Sequence, residues 1–369
     1  MFDRRLVQNF DYLLLALVLL ITAMGIVNLY SAGYNRGEGT PLYIKQMYWL
    51  AVGLGLMVLT LFYDYRHLEK LSYPIYLISI LTLVGVMVAG KMVGGSRRWL
   101  PLGPFAFQPA ELAKIAIILA LATYFNRRPR LESMRLKDLV APGLLVLIPV
   151  ALIIKQPDLG SGILVALVAG SLILFVGVNW RTLVGCVLTM VLCSPVIWGF
   201  LKDYQRQRVL TFLNPEKDPL GAGYHILQSM IAVGSGQFWG KGFLQGTQSQ
   251  LYFLPEQHTD FVFSVVGEEL GFVGVAVALA LFCALFMILV RVARRATDSF
   301  SSLVVFGILG MFFSHVFENV GMTVNIMPIT GIPLPFFSYG GSFFIICCVC
   351  LGLVFRVAWD SRLAGYADV

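Results

Sequence analysis

The densest group of chemically active side chains lies in segment 254–261, LPEQHTDF. Glu256, His258 and Asp260 occupy alternate positions in it. A carboxylate in a partly dry cleft suits general-base catalysis, because desolvation raises its pKa towards the operating pH. The same three side chains could instead bind a divalent metal ion, and Asp260 could simply cap the start of a helix. The sequence alone leaves these three interpretations open.

Two opposite charges, Glu111 and Lys114, lie one helical turn apart within the apolar run PAELAKIAIILA. Ionisable residues at membrane depth are expensive and usually functional, and side chains at i and i+3 can pair. Arg97, Arg98 and Trp99 precede them. Together these residues predict a cationic pocket at a helix entrance, suited to an anionic headgroup. Alternatively, the pair lies at the membrane interface and extends its charges to water.

Three other motifs contain candidate site residues. Asp158 in QPDLGSG could belong to a site or could cap a helix. Arg206 and Arg208 in DYQRQR suit phosphate recognition, unless they form an exposed, solvated pair. Lys241 lies in GSGQFWGKGF, which departs from the phosphate-loop pattern. Nucleotide binding is therefore excluded at that motif.

The composition limits the kind of protein that carries these motifs. Of the 369 residues, 58% are hydrophobic and 13% are charged, and the formal net charge is +7. In a typical soluble domain roughly a quarter of the residues are charged, about twice the fraction found here. An ordinary soluble globule, a disordered chain and a nucleic-acid binder are therefore excluded. The six cysteines lie inside apolar runs, so we expect apolar helix residues rather than disulfides or zinc ligands.

Apolar runs long enough to cross a bilayer recur along the chain. They predict an all-α polytopic membrane protein with about ten transmembrane helices, in a single integral membrane domain over residues 1–369. The first run is too long for a cleavable signal peptide. The predicted spans are 12–32, 44–63, 73–93, 110–126, 139–155, 160–178, 182–201, 262–290, 301–325 and 336–359.

The distribution of basic residues predicts the orientation of these helices. Lys and Arg cluster at alternate span ends, for example at Arg4 and Arg5, around Arg130, and in segment 291–295. Because cytoplasmic loops are enriched in basic residues, both termini are predicted to be cytoplasmic. The large loop at about 202–259 is then extracytoplasmic, and the candidate site residues share the outer side of the membrane.

Segment 326–342, IMPITGIPLPFFSYGGS, is rich in proline and glycine. Irregular backbone cannot face lipid, so we expect this segment to be buried in protein or to line a cavity. We expect Asn319 and Asn325, in the preceding span, to hydrogen-bond its free backbone groups. His315 and Glu318 share that helix and are expected to pair with each other.

The chain resembles the SEDS family, also called the FtsW/RodA/SpoVE family. The resemblance extends from the first predicted span to the last, and it lies in the motifs RWLPLGPFAFQPAELAK, KQPDLGSG, DYQRQRVLTFLNPEKDPLGAGYHILQS, GKGFLQGTQSQLYFLPEQHTDF and GIPLPFFSYGGS. The DYQRQR and GTQSQLYFLPEQHTDF stretches are more similar to the elongation-type members than to the division-type members.

The resemblance implies a ten-span enzyme of the cytoplasmic (inner) membrane that polymerises lipid II into glycan strands of peptidoglycan on the extracytoplasmic side. It also implies a role in cell elongation beside a class B penicillin-binding protein, which supplies transpeptidation. The essential aspartate of the family's HTD motif matches Asp260. The family's membrane Glu/Lys pair matches Glu111 and Lys114, and its QPDLG aspartate matches Asp158.

On this basis Asp260 is predicted to be the catalytic base of an inverting transfer from undecaprenyl pyrophosphate to a GlcNAc 4-hydroxyl. The leaving pyrophosphate needs positive charge. A divalent cation, Mg²⁺ or Mn²⁺, at Asp260 and Glu256 is a candidate cofactor. The predicted substrate-binding residues are Arg97, Trp99, Glu111, Lys114, Asp158, Arg206, Arg208, Lys241, Glu256, His258 and Ser338.

Other functions are compatible with the same residues. A lipid II flippase would also use intramembrane charges and broken helices, although transporters place their sites near the midplane. A division-type polymerase of the same family would perform the same chemistry. A scaffold that only anchors partner enzymes would leave the buried charges unexplained. Formation of glycan polymer from purified lipid II separates the polymerases from the transporter and the scaffold.

Overall fold

The computed structural model describes residues 10–34, 40–93, 96–102, 105–128, 134–219 and 221–367. Arg4, Arg5 and Arg130, which contributed to the predicted orientation, lie outside the described residues. The α-helices are α1 (Tyr12–Ala32), α2 (Leu42–Phe62), α3 (Tyr65–Ala89), α4 (Pro109–Asn126), α5 (Val140–Lys155), α6 (Leu159–Val176), α7 (Trp180–Phe200), α8 (Asp203–Leu213), α9 (Ala222–Ser235), α10 (Thr247–Gln250), α11 (Val262–Arg295), α12 (Ser299–Thr323) and α13 (Gly341–Ala367).

Nine helices in the described part of the chain are long and apolar enough to cross a membrane, namely α1 to α6 and α11 to α13. The tenth predicted span, 182–201, forms the apolar helix α7. Its apolar stretch Trp180–Val196 is shorter than the other nine, of which α5 is counted from Leu136 because a 3-10 turn, Leu136–Leu139, precedes it directly. Most α7 side chains whose exposure is described are exposed. The prediction of an all-α polytopic membrane protein is confirmed.

Aspartates begin four of these helices. Asp11, Asp64, Asp158 and Asp298 each accept a hydrogen bond from a backbone N–H in the first turn of α1, α3, α6 and α12. A side-chain oxygen at this position satisfies one of the N–H groups that the first turn leaves free. Asp158 therefore caps a helix, which was one of the two roles the sequence left open.

A small antiparallel sheet follows α3. Its three strands are β1 (Lys91–Val93), β2 (Ser96–Leu102) and β3 (Phe105–Phe107), in the order β1-β2-β3. The predicted span 73–93 therefore extended too far at this end, and the sequence analysis did not predict the strands that follow it. Helix α3 ends at Ala89, and the Gly-Gly and Gly-Pro dipeptides between the strands are turn formers.

Helices α4 and α12 form the centre of the bundle. Most residues of both helices are buried. Helix α4 packs against α3, α5, α6 and α12, and α12 also packs against α6 and α11. Polar and charged side chains on a membrane-spanning helix are costly in contact with lipid, and they usually face the interior of the bundle. The charged residues of α4 and α12 consequently lie in the protein interior, away from lipid.

Helix α11 is broken near its start, at Gly271. This residue has φ 62° and ψ −158°, a conformation that residues with side chains rarely adopt. The N–H groups of Phe272 and Val273 donate to the carbonyls of Gln237 and Phe238, at 2.9 and 3.2 Å. The break therefore anchors the large loop on the first turns of α11. The stretch 272–295 still suffices to cross about 30 Å of hydrocarbon.

The backbone between α12 and α13 is non-helical over residues 324–340, which we call the Pro/Gly segment. The last span consequently begins at Gly341, five residues later than predicted. The centre of the segment is buried in protein, as expected for irregular backbone at this depth. Its buried residues are Ile332, Leu334, Pro335, Phe336, Phe337 and Ser338.

Candidate functional site

Asp260 lies in the turn that precedes α11. It keeps some contact with solvent, although protein atoms surround its carboxyl on nearly every side. Burial, followed by the nearby Glu256 carboxylate, raises the pKa of Asp260 to about 6. The Thr259 hydroxyl and the guanidinium groups of Arg98 and Arg208 act in the opposite direction. Asp260 is therefore mostly ionised at pH 7 yet basic enough to accept a proton.

The backbone around Asp260 is held by residues of α12 and the Pro/Gly segment. Asn319 Nδ2 donates to the carbonyls of Asp260 (3.0 Å) and Ile332 (2.8 Å). Ser338 Oγ donates to the carbonyl of Thr259 (2.7 Å), and the Tyr339 N–H donates to the carbonyl of His258 (2.9 Å). These four hydrogen bonds fix the position of Asp260. The expectation that an asparagine of the preceding span satisfies the irregular backbone is confirmed for Asn319, whereas Asn325 lies beyond the end of α12, within the Pro/Gly segment itself.

Ser338 was predicted to bind substrate, but its hydroxyl is already occupied. Besides donating to Thr259, the Ser338 oxygen accepts a hydrogen bond from the Leu334 N–H at 2.8 Å, and the residue is 3% exposed. Ser338 therefore positions the turn before α11. Gly331 lies against Asp260 on the same side, since a Cβ there would come within 3.3 Å of Asp260 Oδ2.

Two basic residues act on Asp260, and one of them is not among those that the sequence favoured. Arg98 Nη1 lies 3.5 Å from Asp158 Oδ1, and its charge also acts on Asp260. Arg97, the predicted residue, is exposed on the same strand. Successive side chains of a strand point to opposite faces, so only one of Arg97 and Arg98 can face the site. Because the strand was not predicted from the sequence, there was no basis for choosing between these two arginines. The charge of Arg208, one of the predicted substrate-binding residues, also acts on Asp260.

Arg206 has a structural role in α7. Its Nε and Nη2 donate to the carbonyls of Trp198 (3.1 Å) and Gly199 (2.8 Å), at the carboxyl end of that helix. Cations at this end satisfy free carbonyls and the helix dipole. Asp158 combines two roles, since it caps α6 and accepts a hydrogen bond from Gln108 Nε2 at 3.3 Å.

The predicted pairing of Glu111 with Lys114 is confirmed. Lys114 Nζ lies 2.7 Å from Glu111 Oε2, and the two side chains are 4% exposed or less. Lys114 Nζ also contacts His315 Nε2 at 2.9 Å. The predicted pairing of His315 with Glu318 is therefore wrong, because the His315 ring meets the lysine of α4 instead. His315 and Lys114 are far apart in the sequence, so no local sequence pattern could have predicted their contact.

Lys241 is neutralised within the large loop. Its Nζ lies 2.8 Å from Glu268 Oε1 and donates to Thr247 Oγ1 at 2.7 Å. The buried Glu268 carboxylate also accepts from the N–H groups of Gln248 and Ser249, at 2.8 and 3.0 Å. Lys241 and Glu268 therefore hold the loop on the first turns of α11.

The remaining candidates lie at the rim of the site. Glu256 is exposed, and its Oε2 lies 3.8 Å from His258 Nε2. Trp99 is half-buried in β2. Among the described residues, no group of three or more His, Cys, Asp or Glu could hold a metal ion.

Comparison with known proteins places the whole chain in one family. The FTSW_RODA_SPOVE family model, described as "Cell cycle protein", matches residues 11–363. The peptidoglycan glycosyltransferase MrdB of Escherichia coli (strain K12) is 41% identical over 357 residues, which cover 96% of this chain and 95% of the relative.

Two solved structures are also similar to it. One is described as "Structural coordination of polymerization and crosslinking by a peptidoglycan synthase complex" and has a TM-score of 0.83 at 38% identity, covering 95% of this chain and 98% of that one. The other is the rod shape determining protein RodA of Thermus thermophilus, with a TM-score of 0.71 at 34% identity, covering 95% and 97%. The chain therefore belongs to the FtsW/RodA/SpoVE family of peptidoglycan glycosyltransferases.

Proposed function

We propose that the chain polymerises lipid II into glycan strands with Asp260 as the general base. The glycosyltransferase activity follows from the family and from relatives such as MrdB. One observation carries the assignment of the base. The Asp260 carboxyl combines a pKa of about 6 with two nearby arginines and a backbone fixed by hydrogen bonds.

In the proposed reaction, the 4-hydroxyl of the acceptor GlcNAc attacks the anomeric carbon of the growing chain. Asp260 takes the hydroxyl proton as the β1→4 bond forms. The bond between the anomeric carbon and undecaprenyl pyrophosphate breaks, and the electron pair leaves with the pyrophosphate. One displacement inverts the α-linked donor to a β-linked product. It therefore requires no covalent intermediate on a second carboxylate.

The leaving pyrophosphate requires positive charge where negative charge develops. Arg98 and Arg208 are our candidates, because their charges already reach the Asp260 carboxyl. Arg206 and Lys241 are occupied by helix carbonyls and by Glu268. Lys114 is buried against Glu111 and His315, so we assign it a positioning role.

The proposed divalent cation, Mg²⁺ or Mn²⁺, depends on the substrate. Two carboxylates, Glu256 and Asp260, supply too few ligands for a resident ion in the described part of the chain. Oxygen ligands from the pyrophosphate would have to complete the coordination. When bound, such an ion would neutralise developing phosphate charge.

We further propose an extracytoplasmic active site in the cytoplasmic (inner) membrane, and a class B penicillin-binding protein as the partner in cell elongation. The nine long apolar helices support a multi-pass membrane protein. The similarity to the structure of a peptidoglycan synthase complex supports such a partner. Co-purification should enrich this partner, and its addition should change the polymerisation rate.

The test of the function is polymerisation by the purified protein in detergent. Fluorescently labelled lipid II should give a ladder of glycan products with the wild type and none with Asp260→Asn. A flippase or a scaffold would yield no polymer with either protein. The absence of polymer from folded wild-type protein, in an assay where a reference polymerase is active, would contradict the proposal.

A further inference from the structure

A chain of hydrogen bonds connects the buried charge pair of α4 to the Pro/Gly segment. Lys114 Nζ contacts Glu111 on one side and His315 Nε2, at 2.9 Å, on the other. The opposite ring nitrogen, His315 Nδ1, lies 2.9 Å from the carbonyl of Pro333. The imidazole also stacks on Phe343 of α13, with ring centroids 4.3 Å apart. His315 is 1% exposed, so water does not compete for these contacts.

The partners of His315 determine where its proton is. A lysine ammonium has only N–H donors, so His315 Nε2 must accept from Lys114. A proline carbonyl can only accept, so His315 Nδ1–H must donate to Pro333. The ring is therefore neutral and carries its proton on Nδ1. A doubly protonated ring would place a second cation 2.9 Å from the ammonium.

Pro333 lies within the part of the Pro/Gly segment that holds Asp260. The carbonyl of the preceding residue, Ile332, accepts a hydrogen bond from Asn319 Nδ2, which also donates to the Asp260 carbonyl. The following residue, Leu334, donates to Ser338 Oγ, which in turn donates to the Thr259 carbonyl. A displacement of Pro333 would therefore reach Asp260 through two separate hydrogen-bond paths.

We propose that His315 is a positioning residue, which links the buried Glu111–Lys114 pair to the Pro/Gly segment and thereby holds Asp260 at its working position. This inference rests on the proposed role of Asp260 as the base. It gives the buried pair a function without substrate contact. The pair fixes one end of the chain inside the bundle, and His315 transmits that position to the segment beside the base.

A double-mutant cycle in the lipid II assay tests the catalytic part of this proposal. His315→Phe keeps a ring against Phe343 but removes both nitrogens. We expect kcat to fall at least about tenfold while KM for lipid II changes less than about threefold, because the base is misplaced and the substrate contacts are kept. In a Lys114→Met background the same change should cost much less, because the link is already broken. Phe313→Leu, on the lipid-exposed face of α12, is the control with wild-type kcat.

Histidine-selective ¹⁵N NMR of the wild type tests the geometry without any substitution. Among the four histidines, one should show a neutral ring with its proton on Nδ1 that does not titrate between pH 5 and 8. That signal, with a non-additive cycle, supports the proposal. A wild-type kcat in folded His315→Phe, additive effects with Lys114→Met, or no signal of this tautomer would each overturn it. Failure of wild-type protein to polymerise lipid II would instead count against the proposed function, and the NMR result would still decide the His315 arrangement.

Discussion

Two arginines oppose the effect of burial on Asp260, and their charges set the pH at which it can act. Arg98 and Arg208 lower the pKa of Asp260, whereas desolvation and Glu256 raise it, with a net value of about 6. A base must be ionised, so activity should rise with pH through this value. The removal of a positive charge should therefore raise the pKa and move the acid limb to higher pH.

The variant Arg208→Gln tests the direction of this shift in the acid limb. We expect the acid limb of the kcat/KM profile to move above pH 6, so that the variant loses most activity at pH 6 and regains part of it at pH 8. Arg206→Gln, two residues away, removes the same charge from a side chain engaged by helix carbonyls, and its acid limb should stay in place. An unchanged limb in Arg208→Gln, or equal shifts in both variants, would disprove this electrostatic account.

Asp260→Asn tests the identity of the base. The amide keeps the size and hydrogen-bonding capacity of the carboxyl but cannot take the proton, and a general base contributes about 10²–10⁴-fold in rate. We expect lipid II binding to persist and polymer formation to fall by that factor. Glu256→Gln, which removes a carboxylate at the exposed rim but leaves the base in place, should reduce the rate much less than Asp260→Asn does. More than about a tenth of wild-type activity in Asp260→Asn would shift the assignment to Glu256 or Glu268.

At the scale of elements, the buried pair in α4 should contribute to stability as a unit. Lys114→Met would leave the Glu111 carboxylate in the protein interior without its main partner, and such an unpaired charge costs about 3–5 kcal/mol. We expect a clear fall in the thermal unfolding midpoint in detergent. Lys114→Met combined with Glu111→Gln should recover part of it, and the exposed change Lys137→Ala should have no effect. Equal midpoints for all three variants would refute this view of the pair.

The attachment of the large loop to α11 should depend on Lys241. Lys241→Ala removes a charged hydrogen bond to the fully buried Glu268, and such bonds contribute about 2 kcal/mol. The remaining donors to Glu268, Gln248 N–H and Ser249 N–H, limit the loss. We expect faster proteolysis of the loop in Lys241→Ala, whereas Lys217→Ala, exposed in the same loop, should match the wild type. Equal proteolysis rates would exclude this role.

The sequence predicted those features that have a local signature. Apolar run length predicted the spanning helices, and the i,i+3 spacing predicted the Glu111–Lys114 pair. The proximity of Asp260 to Asn319, and of His315 to Lys114, depends on how distant helices pack. The partner of His315 was consequently predicted wrongly. Arg98 was passed over for Arg97 because three short strands, with mixed polar and apolar residues, lack a strong periodic signal.

At the scale of the whole molecule, the structure separates two ends of the bundle. Arg128, Met134, Val176 and Arg294 line one cavity of about 740 Å³, so the ends of α4, α6 and α11 meet there. Asp260 precedes the opposite end of α11, and Asp158 the opposite end of α6. The described basic connectors and the candidate active site therefore lie at different ends, as the predicted orientation requires.

The number of membrane crossings decides whether the two termini share a side. Met134 and Asn179 are joined by a backbone hydrogen bond of 3.0 Å, so the chain returns to the basic end just before α7. Helix α7 then leads from that end towards the loop before α11, which starts beside Asp260. If α7 crosses the membrane, the crossings are even in number and both termini lie on the same side, which the distribution of basic residues predicts to be the cytoplasmic side. If α7 did not cross, the loop that follows it would stay at the basic end of the bundle. The connectivity instead leads this loop to Asp260, at the opposite end.

A reporter that is active only outside the cytoplasm tests this topology. Fused after Pro219 in the large loop, it should be active, and fused after Arg130 it should be silent, because short loops rich in Lys and Arg stay in the cytoplasm. A third fusion after residue 369 should also be silent, since ten crossings return the chain to its starting side. Activity after Arg130 with silence after Pro219 would reverse the orientation. Activity after both Pro219 and residue 369 would mean that the crossings between them are even in number, instead of the three expected for α11 to α13, which would exclude a cytoplasmic carboxyl terminus and with it the ten-span topology.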